Sequence, residues 1–291
     1  MLLPDITITR VSDEGAGPIR RALNSAFQPK ALQQQEPMIL SHIQRLLAQL
    51  RRETSSGNAV DIRKWIIFSL FDINSDFVFD EDLGCVEAGK FHEWVEFVTE
   101  FFFASTLLHQ CYKFAPLQKL LALCIPRSTK ERQVKHDEAS LMRVRRRMAK
   151  QTDKLDFTHH FVKNAEKEGL SLPTIEAQFS VVILAGSEST AVAVNGAIFS
   201  VLSNAAVYEK LKKEIRETFE TAEDIQLQTI QRKLPYLDAV VQETLRMHPP
   251  FANGFTRVVP PGQGGAMISG QWVPPDVSAV VDLVRNLKRS D

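Results

Sequence analysis

The chain has 291 residues, with 35 Lys and Arg against 35 Asp and Glu, so its formal net charge is 0. That balance offers no overall positive field for nucleic acid, and 44% hydrophobic residues exclude a disordered chain and can build a sizeable core. Three cysteines, Cys85, Cys111 and Cys124, are too few and too odd in number for a disulfide framework.

Met1 to Asp5 show no basic, apolar and small-residue succession of the kind that directs secretion. Residues 17–34 read as a helix with Pro18 near its start, where a missing N–H costs little. Over 36–54, Ile39, Ile43, Leu46, Leu47 and Leu50 recur at helical spacing. Val60 to Phe79 reads as a long helix closed by the turn-like Asp80-Glu81-Asp82-Leu83-Gly84. Trp94 to Leu108 is rich in phenylalanine but interrupted by Glu96 and Glu100. It reads either as a buried helix or as a surface that meets lipid or an apolar ligand. No segment reaches the roughly 18 apolar residues of a spanning helix.

Residues 127–154 hold ten Lys and Arg against four acids. Two readings stand, a solvated helix face or a surface for an acidic partner or lipid. Ser171-Leu172-Pro173, a capping hydroxyl followed by a first-turn proline, opens a helix reaching about Asn204. Gly186, with Ser187, Ser189 and Thr190 nearby, weakens that helix at mid-length, which is expected where a ligand must approach. Ala206 to Thr221 reads as a charged amphipathic helix. Leu234-Pro235 opens another, Tyr236 to Met247, stopped by Pro249-Pro250. Short β-like pieces follow at 256–259, 266–268 and 272–273, broken by Pro260-Pro261-Gly262 and Gly270.

Three features carry chemical content. In Ala185-Gly186-Ser187-Glu188-Ser189-Thr190, a carboxylate beside hydroxyls can relay protons, and the gap at Gly186 lets a small ligand reach the backbone. The bland alternative is a kinked helix with locally satisfied hydroxyls. Glu243 and Arg246, three residues apart on a helix, share a face and can pair. Arg257, in the first β-like piece, can clamp a carboxylate or phosphate, although a solvated arginine is the ordinary case. No metal-ligand spacing joins His109, Cys111, Cys124, His159 and His160.

In order and spacing these features resemble a cytochrome P450, in particular the microsomal type of filamentous fungi used in secondary metabolism. Ala185 to Thr190 resembles the oxygen-activation stretch of the family's central I helix, and Tyr236 to Pro250 its K helix with the Glu-x-x-Arg pair. Thr256 to Gly262 is similar to the strand whose arginine meets a haem propionate. Arg20-Arg21-Ala22-Leu23-Asn24-Ser25-Ala26-Phe27 resembles the C helix, and Phe71 to Phe79 the E-helix region. The resemblance covers roughly residues 10–275 and implies a mainly α chain, a partial P450 fold with a small β portion near the C-terminus, read as one incomplete domain over 1–291. It implies that Glu188, Ser189 and Thr190 guide protons to iron-bound dioxygen, that Glu243 and Arg246 are structural, and that Arg20 and Arg257 hold haem propionates. Ser189 replaces the usual threonine and keeps the hydroxyl.

Two departures bear on activity. The Phe-x-x-Gly-x-x-x-Cys segment that supplies the family's axial thiolate is absent, since the last cysteine is Cys124, before the I helix. That thiolate holds the iron and donates electron density for O–O cleavage. The chain as written starts around the C helix, and beyond Val277 it no longer follows the family. The expectation is therefore a haem-dependent monooxygenase relative that is inactive as written, binding haem poorly or not at all. Two alternatives are carried: an active monooxygenase read from a misplaced gene boundary, and a non-enzymatic helical module that binds an apolar ligand or a partner. The family implies an NADPH-cytochrome P450 reductase and an apolar small-molecule substrate as partners, with no nucleic acid and no membrane span here. Intact relatives sit in the endoplasmic reticulum membrane; without an anchor, the location of this chain stays open, the cytoplasm included.

Overall fold

The computed structural model describes residues 7–8, 13–96, 127–150, 152, 154–251, 257–260, 262 and 264–279. They form helices with a few short strands near the C-terminal end, and group into two compact units, 1–188 and 189–291. The boundary falls inside one continuous helix.

The first unit opens with α1 (Asp13–Ala26) and α2 (Pro29–Thr54) where the sequence suggested a single helix over 17–34. The break comes from Pro29 at the first position of α2, because a residue before proline is driven out of the helical region. Gln28 accordingly takes φ −66° and ψ 150°. Pro18 lies inside α1 rather than at its start. Next comes α3 (Ile62–Phe79), apolar on most sides, with Asp61 accepting a bond from the Arg63 N–H and left-handed Asp80 ending it at φ 55°. Short α4 (Cys85–Ala88) follows, its first backbone N–H groups donating to the buried Asp72 carboxylate at 2.8 and 2.9 Å. Most of the phenylalanine-rich 94–108 segment lies outside the described residues.

Basic α5 (Arg127–Ala149) answers the charge-run question within its own chain. Arg143 pairs with Glu81, Arg145 with Glu176, Arg147 with Asp156, Lys150 with Asp80, and Lys154 just beyond the helix with Asp76 and Asp80. The acidic turn after α3 is thus the partner of much of the basic run. Asp156 also caps α6 (Phe157–Lys167), accepting from the His159 N–H at 2.9 Å. Phe157 and Phe161 of α6 join Phe71, Phe77 and Phe179 in an aromatic core. The Phe77–Phe157, Phe157–Phe161, Phe157–Phe179 and Phe161–Phe179 ring centroids lie 5.3–6.0 Å apart, within the range in which aromatic pairs attract.

The long helix, α7 (Leu172–Leu202), has the expected span, with Ser171 Oγ accepting from the Thr174 N–H. It is long and apolar enough to cross a membrane by length and composition, although polar residues interrupt every run of 18 within it. Its Glu176, Gln178 and Ser187 are nonetheless buried in protein contacts of the first unit.

The second unit continues with α8 (Ala205–Thr218), capped by Asn204, then α9 (Leu227–Lys233) and α10 (Pro235–Met247). Four short strands follow: β1 (Arg257–Val258), β2 (Ala266–Ile268), β3 (Gln271–Val273) and β4 (Ser278–Ala279). Strands β2 and β3 form an antiparallel hairpin across Ser269 and Gly270, both at positive φ. Strand β1 pairs antiparallel with β4, with Arg257 opposite Ala279.

Candidate functional site

Around Gly186 the helix is unbroken. The space that the missing side chain leaves is occupied from outside, by Asn74 of α3. A Cβ at 186 would stand 2.8 Å from Asn74 Oδ1 and 3.3 Å from its Cγ. Asn74 Nδ2 donates to Leu70 O at 2.9 Å and to Ser187 Oγ at 3.1 Å, and Ser187 Oγ donates to Ile183 O at 3.0 Å. The sequence reading of this gap as an opening for a ligand is therefore corrected: it is a packing notch between two helices. The other interior glycine, Gly196, is likewise a notch, with a Cβ there 3.1 Å from His248 Cβ. Ser187 shares its hydroxyl between helix and neighbour, as the bland reading of this stretch expected.

Glu188 follows immediately, half-buried, and burial pushes its carboxyl above the usual range for glutamate. Ala185 and Ser189 lie one turn apart on a shared face, Ala185 exposed and Ser189 half-buried, while Thr190 is exposed. A carboxyl with a raised pKa beside a hydroxyl can hold or pass a proton at neutral pH more readily than a solvated glutamate.

In the second unit Glu243 and Arg246 do pair. Arg246 Nε donates to Glu243 Oε2 at 2.7 Å and Nη2 to Oε1 at 2.6 Å, a bidentate bond that draws the Glu243 carboxyl below its ordinary range. The carboxylate is exposed. Three residues absent from the sequence expectations position the helix that carries it. Glu214 of α8 accepts from the Tyr236 and Leu237 N–H groups at 2.8 and 2.9 Å, satisfying donors that α10 leaves open at its proline start. At the other end His248 Nε2 lies 3.1 Å from Ser200 Oγ, tying the end of α10 to α7. A groove of about 340 Å³ runs between these elements, lined by Val201, Val207, Val240 and Met247, with Tyr236 and Glu243 also on it. Only the Pro-Tyr start of α10 hinted at a need for an outside cap.

Arg20 lies exposed on α1, where its neighbour Arg21 forms the ion pair, with Glu168. Arg257 is exposed on β1. Each belongs to its own unit. The cysteine that the structure describes, Cys85, is buried, and burial first and the Asp72 carboxylate second push its thiol up to about 12. With 1% of its surface exposed, Cys85 presents no open face to a group as large as haem. Among the described residues no three His, Cys, Asp or Glu side chains converge as a metal site. Cys111 and Cys124 lie outside the described residues. The donor set described here does not fit a thiolate-ligated haem.

The family profile described as Cytochrome P450 matches residues 12–281, a few residues past Val277 and through β4. The chain is 42% identical over 275 residues to cytochrome P450 monooxygenase astD of Aspergillus oryzae (strain ATCC 42149 / RIB 40), covering 94% of this chain and 53% of that protein. It is 34% identical to cytochrome P450 monooxygenase efuB of Hormonema carpetanum, covering 90% and 52%. To the trichothecene C-15 hydroxylase of Fusarium sporotrichioides it is 32% identical, covering 88% and 52%. The chain spans about half the length of these relatives. With its long notched α7, its paired Glu243 and Arg246 and a match over nearly the whole sequence, this chain belongs to the cytochrome P450 family.

Proposed function

We propose that these residues form the acid–alcohol and Glu-x-x-Arg portion of a monooxygenase that oxidises an apolar fungal secondary metabolite, and that the 291 residues by themselves do not sustain that reaction. Intact members of the family carry haem; the apolar substrate class and an NADPH-dependent reductase as electron donor are what membership of the family implies for this chain. The inactive reading rests on the contexts of the cysteines, Cys85 being buried beside Asp72. None of the three cysteines sits in a Phe-x-x-Gly-x-x-x-Cys segment. In this reading Glu188 and Ser189 keep the chemistry of a proton path, and Arg20 and Arg257, both exposed, keep the guanidinium groups that would meet haem propionates.

The alternative, an active monooxygenase from a misplaced gene boundary, is favoured by one observation: the Glu243–Arg246 pair is formed in full. The third reading, a non-enzymatic module that binds an apolar ligand or a partner, draws on the aromatic-rich stretch 97–103, the basic stretch 143–147 and the groove beside α10.

The reduced carbon monoxide difference spectrum of the 291-residue chain, produced with haem precursor, separates these readings. The expected result is no haem signal or a non-thiolate band. A thiolate-type band would overturn the inactive reading. A readable Phe-x-x-Gly-x-x-x-Cys in a neighbouring DNA frame would favour the gene-boundary alternative, and stabilisation by apolar ligands would favour the binder.

A further inference from the structure

We propose that Asn74 is a positioning residue, its amide filling the notch at Gly186 and fixing the helical phase at which α7 carries Glu188. The lock stands on packing alone; its bearing on proton delivery rests on the function proposed above.

The amide is pinned rather than merely adjacent. Both protons of Nδ2 are in use, one on Leu70 O of its own helix and one on Ser187 Oγ. The Ser187 hydroxyl, fully buried, passes its own proton to Ile183 O. The chain from Leu70 to Ile183 therefore joins two helix backbones through two side chains. With both donors committed, Asn74 cannot swing away to admit a methyl group 2.8 Å from its Oδ1. An ordinary flexible side chain could yield there at little cost. Glycine at 186 is thus the counterpart of asparagine at 74, one helix leaving the space that the other fills. Glu188 lies two residues beyond the notch and one beyond Ser187, so rotation of α7 at this point would turn its half-buried carboxyl toward or away from solvent. Its upward shift by burial is what a fixed phase would maintain.

The test is a four-member cycle in the 291-residue chain: the parent, Asn74→Ala, Gly186→Ala and the double variant, read by thermal unfolding. Gly186→Ala alone is expected to lower Tm by roughly 5 °C, the scale of one overpacked position in a chain of this size. In the Asn74→Ala background the same change should cost about 1 °C or less, because the notch is vacant. Simply additive losses would overturn the lock. The second readout is the titration of Glu188, followed by carbon-13 NMR of labelled glutamate. Asn74→Ala should move its midpoint, down toward that of ordinary glutamate if the carboxyl turns to solvent and further up if it turns inward, and an unmoved midpoint would reduce Asn74 to a packing residue and overturn the positioning role. Should Asn74→Ala not fold, Asn74→Ser vacates the notch while staying polar and carries the same outcomes. Neither readout involves haem, so a chain that binds no haem leaves the test intact.

Discussion

The two units bury their side chains very differently. In residues 1–188, Phe71, Phe157, Phe161 and Phe179 are fully buried with Ile19, Ile183, Val78 and Val95, and a buried Arg147–Asp156 pair lies in the same unit. Among the described residues of 189–291, the buried apolar side chains are Ala191, Leu234 and Val259, while Phe199, Leu202, Met267 and Trp272 are each more than half exposed. The first unit is organised by a core. Its partner is organised by local devices: the Asn204 cap, the Glu214 carboxylate on the start of α10, the Lys210 ammonium over the Tyr236 ring, and the β2–β3 hairpin. Those devices contribute fractions of a kcal/mol to about 1 kcal/mol each, whereas one buried aromatic ring contributes several.

The sharpest test of this contrast is Phe157→Ala, which opens a cavity among Phe77, Phe161 and Phe179. A loss of about 3–5 kcal/mol in denaturant unfolding is expected. A loss below 1 kcal/mol would mean that the first unit has no rigid core. Next is Arg147→Met, which strands a carboxylate that is 1% exposed. Removing one member of such a pair costs roughly 3 kcal/mol or more, although Asp156 keeps its bond from the His159 N–H. Chemical unfolding of the single variant beside an Arg147→Met/Asp156→Asn double variant, in which no charge is left stranded, checks this.

Asp76 supplies the pH arm. Burial raises its carboxyl, but hydrogen bonds from His42 and Lys154 outweigh burial and bring it to about 2. A carboxylate whose pKa is depressed on folding contributes stability that is full above its unfolded value near 4 and is lost as pH falls to about 2. Its contribution at neutral pH is on the order of 2 kcal/mol, reduced by its partial exposure to solvent. Asp76→Asn should therefore flatten the acid limb of a stability–pH curve; an unchanged limb would show that His42 and Lys154 do not hold the charge.

Glu188 has the opposite sign. A carboxyl raised on folding costs stability as pH rises from its unfolded value through its folded one, so Glu188→Gln should be more stable than the parent at neutral pH. Equal stability of the two at pH 7 would contradict the desolvated placement. The smallest effect belongs to the second unit. Leu202→Gln, at an exposed position, should change unfolding by no more than about 0.5 kcal/mol while reducing self-association measured by light scattering. A loss of several kcal/mol there would erase the contrast between the units.

Much of this was legible in the sequence. The helix over 172–202, the helix closed by Pro249-Pro250 and the two-residue β2–β3 turn follow from proline, capping and glycine signals that act within a few residues. The Glu243–Arg246 pair followed from i,i+3 geometry, which is also local. The family was readable from the order of its motifs. Legibility ended where the reason for a residue lay far along the chain. Pro18 and Pro29 look alike as helix signals, yet only Pro29 begins one. The basic run at 127–154 had no visible partner, because its acids belong to the turn after α3, to Glu176 and to the cap of α6.

Sequence by itself determined the long helices over 172–202 and 235–247, the family and the want of a thiolate segment within these residues, since each is written in composition, spacing or motif. Tertiary structure alone decided what the glycines of α7 are for. A glycine announces only that something approaches the backbone closely; that the visitor at 186 is the Asn74 amide, and at 196 the ring-bearing carbon of His248, depends on packing between segments 112 and 52 residues apart.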